Sequence, residues 1–117
     1  MLKQRLLVMN KQKLLQNEIN GEWKTQKVSK EPNLKPGIYD IYLAKEPLKD
    51  KLVEYVGTII HINKDHVFQK TGSSFIMHKC DVFEKLPGIG KTLTIQYNES
   101  RASTQETALK KTKKLSR

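Results

Sequence analysis

From Gly57 to Tyr97 the apolar positions recur in the manner of β-strands. Gly57-Thr58-Ile59-Ile60-His61-Ile62 runs into Asn63-Lys64-Asp65, and Val67-Phe68-Gln69 follows. Asn and Asp bond their own backbone and accept turn dihedrals, so this spacing predicts strand, tight turn, strand. Lys70-Thr71-Gly72-Ser73-Ser74 predicts a second turn into Phe75-Ile76-Met77-His78. In Thr92-Leu93-Thr94-Ile95-Gln96-Tyr97-Asn98, Leu93, Ile95 and Tyr97 share one face, and Thr94 and Gln96 the other. Alternation with period two marks a strand with one wet face. Upstream, Gly37 to Leu43 reads as a first strand with Tyr39, Ile41 and Leu43 on one side. Leu52 to Asn63 reads as a long second strand. Gly57 interrupts it and predicts a kink of the kind found at barrel corners. Val82, Phe83 and Leu86 fall on one helical turn expected to cover an open barrel end. The expected core is Tyr39, Ile41, Ile60, Val67, Phe68, Leu93, Ile95 and Tyr97.

The flanks read differently. Residues 2–19 lack Gly and Pro and are rich in Leu, Lys and Gln, which favours a helix stopped at Asn20-Gly21. Its apolar residues fall on two sides. That fits a docking or dimerisation helix, or a helix lying across its own barrel. Residues 21–36 hold Pro32, Pro36 and four Lys, and read as a linker anchored by Trp23. The expected fold is therefore mainly β: a small antiparallel SH3-like or OB-like barrel of about five strands (37–104), preceded by an N-terminal helix (1–20) and a linker (21–36). Residues 105–117 form a Lys-rich tail expected to fray in isolation.

Composition sharpens this in one respect. Of 117 residues, 37% are apolar, and the mean hydropathy is −0.62, low for a uniformly packed chain. The net charge is +10. Before residue 37 there are eight basic and three acidic side chains; after residue 100 there are six and one. Each flank thus carries +5, and the β region between them is neutral. Basic flanks attract polyanions. The apolar run Leu6 to Met9 is too short for a leader or a spanning helix, so a cytoplasmic protein without a membrane partner is expected. The single Cys80 rules out an intrachain disulfide.

Candidate chemistry is thin. Gly88-Ile89-Gly90-Lys91-Thr92 imitates the end of a phosphate-binding loop. The pattern needs a further glycine at position 85, where Lys85 stands, and a helix where a strand follows. His61, His66, His78 and Cys80 lack the paired spacing of a zinc site, so no metal or other cofactor is expected. No nucleophile, base and orienting group recur together, and no catalytic residue is assigned. Lys110, Lys111, Lys113, Lys114 and Arg117, with Arg101, form the basic end expected to contact phosphates. Tyr42, placed opposite Tyr39 and Ile41, is the expected stacking residue, with Trp23 and Tyr55 as alternatives.

Gly57-Thr58, Asp65-His66-Val67-Phe68-Gln69, Gly72, His78, Leu86-Pro87-Gly88-Ile89-Gly90, Leu93 to Tyr97 and Arg101-Ala102 resemble the KfrB domain of conjugative plasmid proteins, over about Leu52 to Ala102. The resemblance implies plasmid maintenance or DNA transfer and supplies no catalytic residues. The expected function is a non-enzymatic accessory protein of a mobile element. It binds DNA, or a DNA-bound protein, through basic flanks, and its N-terminal helix is available to a protein partner or a second copy. The alternative is a small inhibitor that acts by contacting a host or transfer protein.

Overall fold

The computed structural model describes residues 3–48, 50, 52–99 and 101–106. The chain divides into two units, residues 1–44 and 45–117, and each is built on one antiparallel sheet.

The first unit begins with β1 (Gln4–Met9), β2 (Gln12–Ile19) and β3 (Glu22–Lys30), followed by β4 (Gly37–Tyr39) and a 3-10 turn at Ile41–Leu43. The strand order is β3-β2-β1-β4. The expected N-terminal helix is therefore replaced by a hairpin, and most of the expected linker by a third strand. The turns explain this. Asn10 and Lys11 have φ of 53° and 63°, and Asn20 and Gly21 have 53° and 82°. Two consecutive positive φ values make the type I′ turn, whose twist matches that of paired strands. Asn20-Gly21 is a strong signal for this turn and closes a hairpin where a helix stop was expected. Leu6 and Val8 on β1 point to the buried face with Lys13 and Tyr39, and Leu7 points to the other side. The apolar residues on both sides reflect the two faces of a strand rather than of a helix.

The second unit contains β5 (Glu54–Ile62), β6 (His66–Thr71), β7 (Ser74–Lys79), β8 (Thr92–Asn98) and β9 (Arg101–Glu106), with a 3-10 turn at Cys80–Val82. The order is β7-β6-β5-β8-β9. No pairing among the described residues joins β7 to β9, so the sheet is open and the expected closed SH3-like or OB-like barrel is not formed. β9, Arg101–Glu106, lies beyond the strands read from the sequence and reaches into the tail (105–117) expected to fray. The outer sides of the sheet are met by single bridges, Lys45 to Ile76 beside β7 and Phe83 to Ala102 beside β9. In the β5–β6 turn, Asn63 Oδ1 accepts bonds from the amides of Asp65 (2.8 Å) and His66 (2.7 Å). That is the local bonding expected of this segment.

Ile59, Val67, Val82, Phe83, Leu93, Ile95 and Tyr97 make one buried cluster. All eight expected core residues are buried, although Tyr39 and Ile41 belong to the first unit. Leu86 stays exposed, leaving Val82 and Phe83 as the inward residues of that turn. Ile95→Ala should cost ~2–5 kcal/mol in urea unfolding, because a fully buried branched side chain leaves a cavity. A loss under ~0.5 kcal/mol would contradict the packing of β8.

Among the described residues no helix is long and apolar enough to cross a membrane.

Candidate functional site

Two constellations stand out, one in each unit. The first lies on the face of the first sheet opposite Leu6 and Val8. Register fixes its rows, because directly paired residues project to the same side. Ile38, Leu7, Leu14 and Val28 are in register across all four strands and form an apolar row, with Ile38 55% and Val28 52% exposed. The next row is polar: Arg5 Nε donates to Gln16 Oε1 (2.8 Å), and Gln16 Nε2 donates to Thr25 Oγ1 (3.2 Å). The bulge in β2–β3 pairing between Leu15 and Gln16 brings Thr25 opposite Gln16.

The last row holds Lys3, Glu18 and Trp23. Lys3 Nζ lies 3.7 Å from Glu18 and 4.9 Å from the centre of the Tyr42 ring. The Arg5 guanidinium lies 4.3 Å from the centre of the Trp23 ring. Trp23 and Tyr42 are 6.0 Å apart, tilted by 39°. Tyr42 thus sits on the 3-10 turn rather than on a strand, and it is half-buried rather than directed wholly at solvent. Two cations and two aromatic rings meet at one end of the sheet, and each cation lies within ~6 Å of a ring centre, the range of cation–π attraction. Its place opposite Tyr39 and Ile41 marked Tyr42 in the sequence, with Trp23 as an alternative. Lys3 and Arg5 were missed because they belonged to the segment read as a helix.

The other expected contact residues do not join this cluster. Arg101 is exposed at the start of β9, and its Nη1 donates to the Asp81 carbonyl at 3.0 Å. Lys110, Lys111, Lys113, Lys114 and Arg117 lie outside the described residues.

The second constellation is internal to the second sheet. Gln69 Nε2 donates to the carbonyls of Tyr55 (3.0 Å), Leu93 (3.1 Å) and Gly57 (3.3 Å). This fixes the amide, so Gln69 Oε1 is the acceptor facing His78 Nε2 at 2.9 Å. Nε2 therefore carries the imidazole proton, and Nδ1 accepts from the Tyr97 hydroxyl at 2.8 Å. Gln69, His78 and Tyr97 are fully buried. Tyr97 stacks on the imidazole (5.7 Å, 22°), and Tyr55 and Phe83 meet it edge-on. Burial pushes the His78 pKa down to about 4 and, together with Tyr55, raises that of Tyr97. A neutral imidazole with both nitrogens bonded to side chains is a brace joining β6, β7 and β8. It is not a general base open to substrate.

Cys80 lies nearby in sequence but faces elsewhere, its thiol donating to the Asn63 carbonyl at 3.4 Å. Burial, then Asp65 and Asp81, push its pKa up. Among the described residues no three His, Cys, Asp or Glu converge as metal ligands would.

The second sheet is also the part of the chain that a family model matches. The model of the KfrB Domain matches residues 54–106, which run from the start of β5 to the end of β9. The buried Gln69, His78 and Tyr97 all fall inside that span. The chain belongs to the KfrB-like family of plasmid proteins. It is 32% identical over 119 residues to Protein TraB of Escherichia coli, covering 97% of this chain and 82% of that protein. The likeness to TraB therefore extends into the first sheet, which the domain model leaves out.

Proposed function

We propose that this protein is a non-catalytic, cytoplasmic accessory component of a plasmid system and that it binds DNA. The observation that carries the reading is the placement of Lys3 and Arg5 over Tyr42 and Trp23 on the exposed face of the first sheet. Cations next to aromatic faces supply both phosphate attraction and base contact. The charge distribution supports it as well, since +5 lies on each side of a neutral centre. The braced His78 and the protonated Cys80 give no reason to assign an enzymatic activity.

A gel-shift titration at two salt concentrations tests this. Affinity should fall steeply with salt, with a log–log slope of ~0.9 per duplex phosphate neutralised. If Lys110, Lys111, Lys113 and Lys114 contribute four contacts, removing residues 109–117 should flatten the slope by roughly 3–4 without changing sequence preference. Binding that does not respond to salt would defeat the proposal.

A second reading has its own support. The Ile38–Leu7–Leu14–Val28 row offers an apolar strip to another protein, as an inhibitor of a host or transfer protein would require.

A further inference from the structure

We propose that the Trp23–Tyr42 end of the first sheet is a stacking site for single-stranded DNA, with Arg5 and Lys3 meeting the flanking phosphates. This rests on the DNA-binding reading and names the form of nucleic acid and the site.

The geometry favours a single strand over a duplex. In a duplex the base faces are hidden in the stack, and only phosphates and groove edges are presented. Two half-buried aromatic rings followed by an aliphatic row would then meet a charged backbone and gain little. Unpaired bases expose π-faces, which stack on aromatic side chains and on guanidinium planes whatever their sequence. Trp23, Tyr42 and the Arg5 guanidinium supply three such surfaces within one cluster.

The cluster is also held in place. Arg5 is oriented by Gln16, which is 8% exposed, and Gln16 in turn bonds Thr25. The guanidinium is thereby set against the indole before any ligand arrives, which lowers the ordering cost of binding. Glu18, 3.7 Å from Lys3, is the one carboxylate in this row, and a phosphate would have to replace it as the partner of Lys3. That requirement predicts tighter binding once Glu18 is neutralised.

Trp23 is the only tryptophan of the chain, so its fluorescence reports this site directly. The full chain is titrated with a thymidine oligonucleotide and with a duplex of the same length. Trp23 emission is followed together with the anisotropy of a labelled oligonucleotide. The single strand should quench Trp23 along the same isotherm as the anisotropy, and it should bind more tightly than the duplex. Trp23→Ala should weaken single-strand binding roughly 5- to 100-fold. Trp23→Phe should restore most of it, and duplex binding should change less than twofold. Far-UV circular dichroism and the urea midpoint confirm that each variant is folded.

Binding by anisotropy without quenching, or with no loss in folded Trp23→Ala, overturns this site and leaves DNA binding standing. The absence of binding to either nucleic acid overturns both and makes the apolar row, and a protein partner, the leading account of this face.

Discussion

Gly57→Ala should cost at least ~3 kcal/mol and leave the second unit largely unfolded at ordinary temperature. A Cβ built at this position falls 1.9 Å from the Lys70 carbonyl oxygen, 2.7 Å from its carbon and 3.1 Å from Thr71 Cα. All three are backbone atoms, so no side-chain rotation relieves the clash. Thr58 on β5 is paired with Lys70 on β6, while Gly57 is paired with Leu93 on β8, so the backbone of Lys70 and Thr71 closes on Gly57 just past the last β5–β6 pair. Overpacking of a well-packed interior usually costs ~1–3 kcal/mol, and a methyl group forced into a backbone carbonyl belongs at or above the top of that range. Gly88→Ala is the control, since its Cβ would meet only Lys91 Cγ at an ordinary 3.6 Å. A urea midpoint for Gly57→Ala close to that of Gly88→Ala would show that the approach is not as close as described.

The second large effect concerns acid. His78 has its pKa near 4 in the folded protein, against about 6.5 in an unfolded chain. The unfolded state therefore binds more protons between these values, and stability falls as the pH drops through that window. The loss should reach about 2 kcal/mol by pH 5 and about 3 kcal/mol by pH 4. The physical cause is burial. A charged imidazole would lose its acceptor role at Nδ1 toward Tyr97 and would have no water around it. His78→Leu should lose ~2–4 kcal/mol at neutral pH, because Gln69 Oε1 and the Tyr97 hydroxyl are left without their partner. It should also lose the His-dependent part of the pH profile. Equal urea midpoints at pH 7.5 and pH 5 in the unmodified protein would contradict the buried neutral imidazole.

The strands of the second sheet were legible because their alternation is clean. Leu93, Ile95 and Tyr97 point inward as expected, and β8 spans Thr92–Asn98 as read from sequence. In the first sheet only β4, Gly37–Tyr39, was legible, as the start of the strand read from Gly37 to Leu43, and the other three strands were not. The rear face of this sheet is also apolar, so Leu6-Leu7-Val8-Met9 loses its alternation. On β2 the buried residues are Lys13 and Gln16, polar side chains that a hydrophobicity pattern places outside. Lys13 is held by Glu31 at 3.7 Å, and Gln16 by Arg5 and Thr25, partners that only the folded chain supplies. Gly57 was recognised as exceptional, but for a kink; the register shift lies instead between Ile59 and His61, and Gly57 serves a close approach. The polar brace did leave a trace. Gln69 shares its side of β6 with Val67, and His78 shares its side of β7 with Ile76, so two polar residues occupy inward positions on neighbouring strands.

β3 has one further consequence. It is nine residues long and forms the outer strand of its sheet, so one row of its amides and carbonyls has no strand beside it among the described residues. Such a rim is a template on which a second chain can add itself. Lys24, Lys27 and Lys30 are spaced along it and exposed. Two copies approaching edge to edge would bring these like charges together, which disfavours that pairing, although Lys24 is partly offset by Glu22 at 3.3 Å. The lysines that help give the N-terminal flank its positive charge therefore also guard against self-assembly, and replacing them with neutral β-formers would trade solubility for a growing sheet.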